Sequence, residues 1–147
     1  MQTLLPAIKA ALQGLPQLPR KSDCYITPDV NMMPTGTRQP CIGIKDGGID
    51  RVDLMGEMME LTARVTLVGF VKLPISDGYE AICSDKGVYP LLDAATALLI
   101  NNLLGLSGVQ RVQVGSDRPT EAFVAENKQW LIKLVRTLVY TLERPSV

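Results

Sequence analysis

Hydrophobic residues recur every three to four positions at the start of the chain, from Leu4 to Leu15. This spacing is that of an amphipathic helix, and it predicts a helix over about 3–13. Gly14 and Pro16 then end the series, because glycine suits the residue just beyond a helix and proline cannot continue one. The apolar stripe of this helix must be buried against another element of the fold.

A second helical series occupies the later half of the chain and predicts a helix over 90–104. Pro90 suits the first position of a helix, and Gly105 suits the residue that follows its end. Few positions of the series are polar, so we expect this second helix to be largely buried.

Alternation of apolar and polar residues is strongest between Glu60 and Val71, and it predicts a strand with one face in water. The alternation stops at Val68, and Phe70 and Val71 are apolar as well. This end of the strand is therefore either buried on both faces or covered by a neighbouring chain.

Shorter β-prone runs predict further strands at 24–27, 41–45, 49–55, 79–83, 109–114 and 130–142. The last run also fits a helix, but its β-branched residues favour a strand in which Arg136 is the exception on the apolar side. Turns are predicted at 46–48 and 76–78. Together these patterns predict one α+β domain spanning 1–147, in which a mostly antiparallel or mixed sheet of four to six strands packs against two helices.

Residues 28–40 show no periodicity and contain several prolines, so they predict a long loop. Two interpretations are open: a disordered surface excursion, or an arm that becomes ordered on a partner. Met32 and Met33 favour the arm, since adjacent exposed methionines suit adaptable contacts.

Composition then removes several classes of function. The 147 residues include no histidine, which excludes histidine-based catalytic triads and histidine-ligated metal sites. Fifteen basic residues balance fifteen acidic residues, which argues against a dominant surface for DNA or anionic lipid. The most apolar stretch, 88–106, is interrupted by polar residues, and the N-terminus lacks a signal-peptide pattern. We expect a soluble intracellular protein without membrane contact.

The cysteines provide little support for a thiol site. Cys24, Cys41 and Cys83 are odd in number and match no metal-binding spacing, so three free thiols in a reducing compartment are the favoured interpretation. A low-pKa thiol is one interpretation of Cys41, next to Pro40, but packing is the stronger interpretation.

Three carboxylates, Asp46, Asp50 and Asp53, lie close together in the sequence and could offer oxygen ligands to a cation. Their spacing matches no calcium loop, and a solvated hairpin is favoured. Phosphate-binding glycine motifs are absent as well. The sequence therefore predicts no catalytic residue, no metal, no cofactor and no enzyme.

The order of elements resembles that of the tail terminator and head–tail joining proteins of tailed bacteriophages. The segments 40–48 and 87–105 carry most of this likeness. The resemblance implies a sheet with helices packed on it, assembled into a ring, usually a hexamer, at the head-proximal end of the tail. Such a ring ends tube growth, contacts the tail tube protein and the head-side neck protein, and brings the subunits near DNA in the channel. The implied location is the virion, after assembly in the host cytoplasm.

A ring needs two different patches that complement each other. We expect the 28–40 loop and the edge of the 60–71 strand to supply them, through Met32, Met33, Val68, Phe70 and Val71. Four basic residues either face the channel or are merely solvated, the latter being the default: Arg111, Arg118, Lys128 and Lys133. Two alternatives stay open: a baseplate or cap component of a contractile tail or injection system, and a small enzyme or ligand-binding domain with carboxylate or thiol chemistry.

Overall fold

The computed structural model describes residues 1–73, 78–100, 102, 104–106 and 108–145. It is an α+β fold, as predicted. A single 3₁₀ turn at Lys21–Asp23 precedes the first strand. The helices and strands are, in chain order, α1 Leu4–Leu12, β1 Cys24–Ile26, β2 Cys41–Asp53, β3 Met58–Lys72, α2 Gly78–Ile82, α3 Val88–Ile100, β4 Val109–Asp117, β5 Glu121–Val124 and β6 Trp130–Pro145.

The strands form one mixed sheet of six, in the order β1-β2-β3-β6-β4, with β5 also pairing with β6. Only β1 runs parallel to its neighbour; β2 with β3, β3 with β6, and β4 and β5 with β6 are all antiparallel. The ambiguous segment 130–142 is thus a strand, and it lies inside the sheet because it pairs with β3 on one side and with β4 and β5 on the other. The β-branched residues that favoured a strand were therefore the better guide.

One face of the sheet, called here the helix face, is covered by α1 and α3. Apolar residues of both helices share a core with the inward residues of β2, β3 and β6. Gly69 shows how closely α3 approaches, since a methyl group added there would lie 3.2 Å from Leu92 and 3.3 Å from Val88. This burial agrees with the amphipathic pattern of the first helix and the broad apolar surface of the second.

The opposite face, called here the loop face, has a smaller core at one end. Val68 and Phe70 are fully buried there, together with Tyr25, Cys41, Leu131 and Val135. Residues of the 28–40 segment and of the β5 region cover them: Val30, Met33, Phe123 and Ala125.

The alternation of apolar and polar residues therefore stops after Leu67 because other parts of the same chain bury both faces of β3 there. Val68 and Phe70 belong to the loop-face core, and Val71, which is 3% exposed, belongs to the helix-face core. The prediction that Val68, Phe70 and Val71 form a contact with another subunit is wrong, because this chain already covers their side chains.

The predicted turn at 46–48 is a bulge inside the continuous strand β2. The register with β3 shifts between Asp46 and Ile49, while pairing continues on both sides of the shift. Gly48 has φ +101°, and a methyl group on Gly47 would lie 3.0 Å from the Arg64 backbone, so both glycines are needed here. The hairpin instead reverses at 54–57, where the Leu54 amide donates to the Met58 carbonyl.

Other elements of the fold also differ from the prediction. Residues 79–83, predicted as a short strand, lie largely in the helix α2, which buries Ala81 and is followed by a Ser84 hydroxyl that donates to the Glu80 carbonyl. The helix α3 begins at Val88, two residues before Pro90, and ends at Ile100. Strand β5 was not predicted. Residues 76, 77, 101 and 103, which belong to the predicted second turn and helix end, lie outside the described residues.

Candidate interaction surfaces

The 28–40 segment is a loop, as predicted, and residues that precede it fasten its C-terminal end. The fully buried carboxylate of Asp23 accepts the backbone amides of Arg20 at 3.0 Å and Arg38 at 2.9 Å. The Arg20 guanidinium donates to the same carboxylate at 3.2 Å and also to the Gly36 carbonyl. Because these bonds join Arg20 and Asp23 to Gly36 and Arg38 of the segment, the loop lies against the sheet rather than projecting as an arm.

Lys133 holds the middle of the segment. Its ammonium group donates to the Asn31 side chain at 2.6 Å and lies 3.3 Å from the Glu121 carboxylate. It also lies 6.0 Å from the centre of the Phe123 ring. Lys133 is buried, so it is neither a channel-facing nor a solvated charge; Arg111, Arg118 and Lys128 are exposed.

The two methionines of the segment have different environments. Met33 packs on the loop-face core, where the Cys41 thiol lies 3.7 Å from its sulfur and the Gln39 amide donates to that sulfur at 3.7 Å. Met32 is 54% exposed and lines a shallow groove between the segment and the β5–β6 turn. Of the two predicted interface methionines, Met32 is the exposed one, whereas Met33 is half-buried.

The buried thiols are unsuited to nucleophilic chemistry. Burial raises the pKa of Cys41 to about 12, although a hydrogen bond with Tyr25 opposes the effect. Burial likewise raises the pKa of Cys24 to about 12, with nearby Lys9 opposing it. A thiol must ionise to act as a nucleophile, so both are packing residues. Cys83 is exposed.

The three clustered aspartates do not converge. Asp50 accepts the Arg64 guanidinium at 2.6 Å, and Asp46 lies 3.3 Å from the Lys45 ammonium. Asp50 and Asp53 are three residues apart in β2, so their side chains leave opposite faces of the strand. Within the described ranges, no group of three or more acidic or cysteine side chains could hold a metal ion.

Arg136, the charged residue that interrupts the apolar pattern of β6, donates four side-chain hydrogen bonds. It is buried on the helix face and donates to both oxygens of Asp117, at 2.8 and 2.9 Å. It also donates to Asp93 and to the Thr96 hydroxyl, each at 2.9 Å. The bonds to Asp117 are the main reason that the pKa of Arg136 is raised. This cluster ties β6 to β4 and α3, and four of the five guanidinium N–H groups are already used.

An exposed apolar feature at the end of the β2–β3 hairpin was not predicted. This segment, residues 52–59 and here called the hairpin tip, presents apolar side chains to solvent, although Met59 at its base packs on the helix-face core. Met55 is 97% exposed, Val52 is 57% exposed, and Leu54 is exposed as well. The sequence did contain a signal, because three of the six methionines fall in this short segment. The glycines of the bulge hide this signal, because Gly47 and Gly48 resemble the turn of the hairpin.

Neither a scan against protein-family models nor a search of curated proteins found a match to this chain. None of the helices in the described part of the chain is long and apolar enough to cross a membrane.

Proposed function

We propose that this chain is a structural subunit that assembles into a ring at the head-proximal end of a phage tail, where it ends tube growth and joins tail to head. The order of elements that resembles tail terminator and head–tail joining proteins supports the phage role. The exposed hairpin tip supports self-assembly. No reactive group described above favours the alternative of an enzyme.

The hairpin tip is the main support for the proposal, because burial of its exposed apolar side chains against another subunit would stabilise the assembly. Burying a methionine or leucine side chain completely stabilises a contact by about 1.5–3 kcal/mol. Met55, Leu54 and Val52 lie together at the end of one hairpin, whereas isolated exposed apolar residues are ordinary on any surface. Methionine also adapts its shape to a partner. The tip is therefore one of the two patches that a ring subunit requires.

The decisive experiment is electron microscopy of particles assembled without this protein. Tails of uncontrolled length, or heads and tails left unjoined, are the expected result. A defect at the far end of the tail would instead favour the baseplate or cap role. Normal virions would contradict both phage roles.

A second measurement examines the purified chain alone. Negative-stain images and sedimentation velocity over a range of concentrations should show closed rings or smaller oligomers built from the same contact. Deleting residues 30–38 is a poor test of assembly, because Val30 and Met33 cover the loop-face core and their removal would unfold that end of the sheet.

A further inference from the structure

We infer that β4 of one subunit pairs edge to edge with residues 49–53 of β2 in the next subunit, so that the sheet continues from copy to copy. The inference rests on the proposed function only for self-association; it specifies which surfaces meet. It follows from the position, direction and side chains of two open strand edges.

Both edges lack a neighbour on their outer side. Strand β4 pairs with β6 alone, and residues 49–53 of β2 pair with β3 alone. Strand β1 covers β2 only at Ile42, Gly43 and Ile44. Among the described residues, no other strand pairs with either edge. Each edge therefore presents free backbone N–H and C=O groups, which favour pairing with another strand.

The two edges lie at the same height on opposite sides of the sheet. The pairing register links one row of residues straight across it: Asp50, Thr62, Thr141 and Arg111. The adjacent row links Ile49, Ala63, Tyr140 and Val112. A second copy placed beside the first therefore needs no shift along the strands for its 49–53 edge to meet β4. Copies related by rotation without such a shift form a ring when the rotation closes, whereas a shift along the strands would give a helical filament.

Strand direction agrees with this arrangement. The four strands β2, β3, β6 and β4 alternate in direction across the sheet. Rotation about an axis roughly parallel to the strands leaves every copy in the same orientation. Strand β4 then meets an antiparallel β2, and the alternation continues without a break across the subunit boundary.

The side chains along the two edges also match. In the unshifted register the exposed Arg111 of β4 lies opposite the exposed Asp50 of the next copy. Asp50 and Asp53 outnumber Arg51 on the β2 edge, although Asp50 also pairs with Arg64 of its own chain; on β4, Asp117 is already bonded to Arg136, which leaves Arg111 as the available charge. Neither edge contains the proline or lysine that often guards an exposed strand.

Cross-linking tests this pairing directly. In a Cys83→Ser background, which leaves only the two buried thiols, Asp50→Cys and Arg111→Cys would be made as separate variants and treated with a short bis-maleimide. These two positions are exposed and lie in one row of the unshifted register. We expect covalent dimers when the two variants are mixed and little product from either alone. A chain carrying both substitutions should give a ladder that ends at the size of the ring. The matched control mixes Asp50→Cys with Leu98→Cys, which is 38% exposed on α3 and on neither edge.

The other outcomes overturn the inference in distinguishable ways. If Arg111→Cys cross-links with itself, two β4 strands pair about a two-fold axis, and self-association survives while this interface does not. If no variant cross-links but the Cys83→Ser protein still forms rings, the ring uses other surfaces. If that protein stays monomeric at every concentration and no cross-link forms, both this interface and the autonomous assembly described above are contradicted.

Discussion

The 28–40 segment and the hairpin tip are both irregular, methionine-bearing stretches, and the structure uses them in opposite ways. The first lies across the loop face and completes a core, whereas the second leaves Val52, Leu54 and Met55 exposed. Their compositions alone do not separate them. What separates them is the strand beneath each one.

Strand β3 shows the difference along its own length. Near the 28–40 segment it carries Val68 and Phe70 on the loop face, which must be shielded from water. Nearer the hairpin tip, Thr62, Arg64 and Thr66 occupy that face, and Arg64 is exposed enough to pair with Asp50. Apolar residues on both faces of a strand require a cover on both sides, and here the preceding loop of the same chain provides the second cover.

The variant Phe70→Ala tests most directly whether the 28–40 segment covers a core. If Phe70 is a core residue under the 28–40 segment, the truncation leaves a cavity and lowers the free energy of unfolding by about 3–5 kcal/mol. Chemical denaturation of the purified protein measures this loss. Val52→Ala at the hairpin tip is the control and should change stability by less than about 0.5 kcal/mol. An assembly defect in Phe70→Ala with unchanged stability would restore the interface role that the sequence predicted.

Asp23→Ala tests whether the segment is fastened as described. It removes the acceptor for the amides of Arg20 and Arg38 and leaves those groups without their partner. We expect a loss of about 2–3 kcal/mol in stability and faster proteolysis within 28–40. Asp53→Ala, at an exposed position, should affect neither measurement. Equal proteolysis of the two variants would mean that Asp23 does not hold the segment.

Gly43→Ala tests the packing beneath the segment with one methyl group. The added carbon would lie 2.8 Å from Val68 and 2.9 Å from the Tyr25 ring, so side chains in the core must move. Overpacking of this kind costs about 1–3 kcal/mol. Gly78→Ala meets no atom within 4 Å and should not destabilise the protein. Thermal melting of both variants measures the difference, and an unchanged Gly43→Ala protein would show that this core is loose.

Features set by local pattern were predictable from the sequence. The helix α1 and the strands β3 and β6 follow from spacing and β-branching, since each pattern extends over many residues. The hairpin reversal was not predictable in the same way. Gly47 and Gly48 look like a turn because positive φ suits turns and bulges equally, and only pairing with β3 on both sides reveals the bulge.

The candidate surfaces depend still more on tertiary contacts. Nothing local distinguishes Lys133, buried against Asn31, from an exposed lysine. Likewise, the open edges of β2 and β4 exist only because β6 lies between β3 and β4. The order of strands in a sheet is a long-range property, so exposure at an edge cannot be derived from the residues of that edge alone.

We expect Met55→Ser to have the smallest effect on stability. This variant also gives the most direct comparison between the hairpin tip and the 28–40 segment. Met55 is almost wholly in water, so the folded monomer should change by less than about 0.5 kcal/mol. Self-association measured by sedimentation velocity should weaken about ten-fold, which corresponds to roughly 1.4 kcal/mol of lost apolar burial. Met32→Ser is the matched variant, since Met32 is the exposed methionine of the 28–40 segment. We expect it to leave self-association unchanged. The reverse result, with Met32→Ser weakening assembly and Met55→Ser not, would show that the 28–40 segment both covers a core and contacts the neighbouring subunit, and the hairpin tip would lose its role.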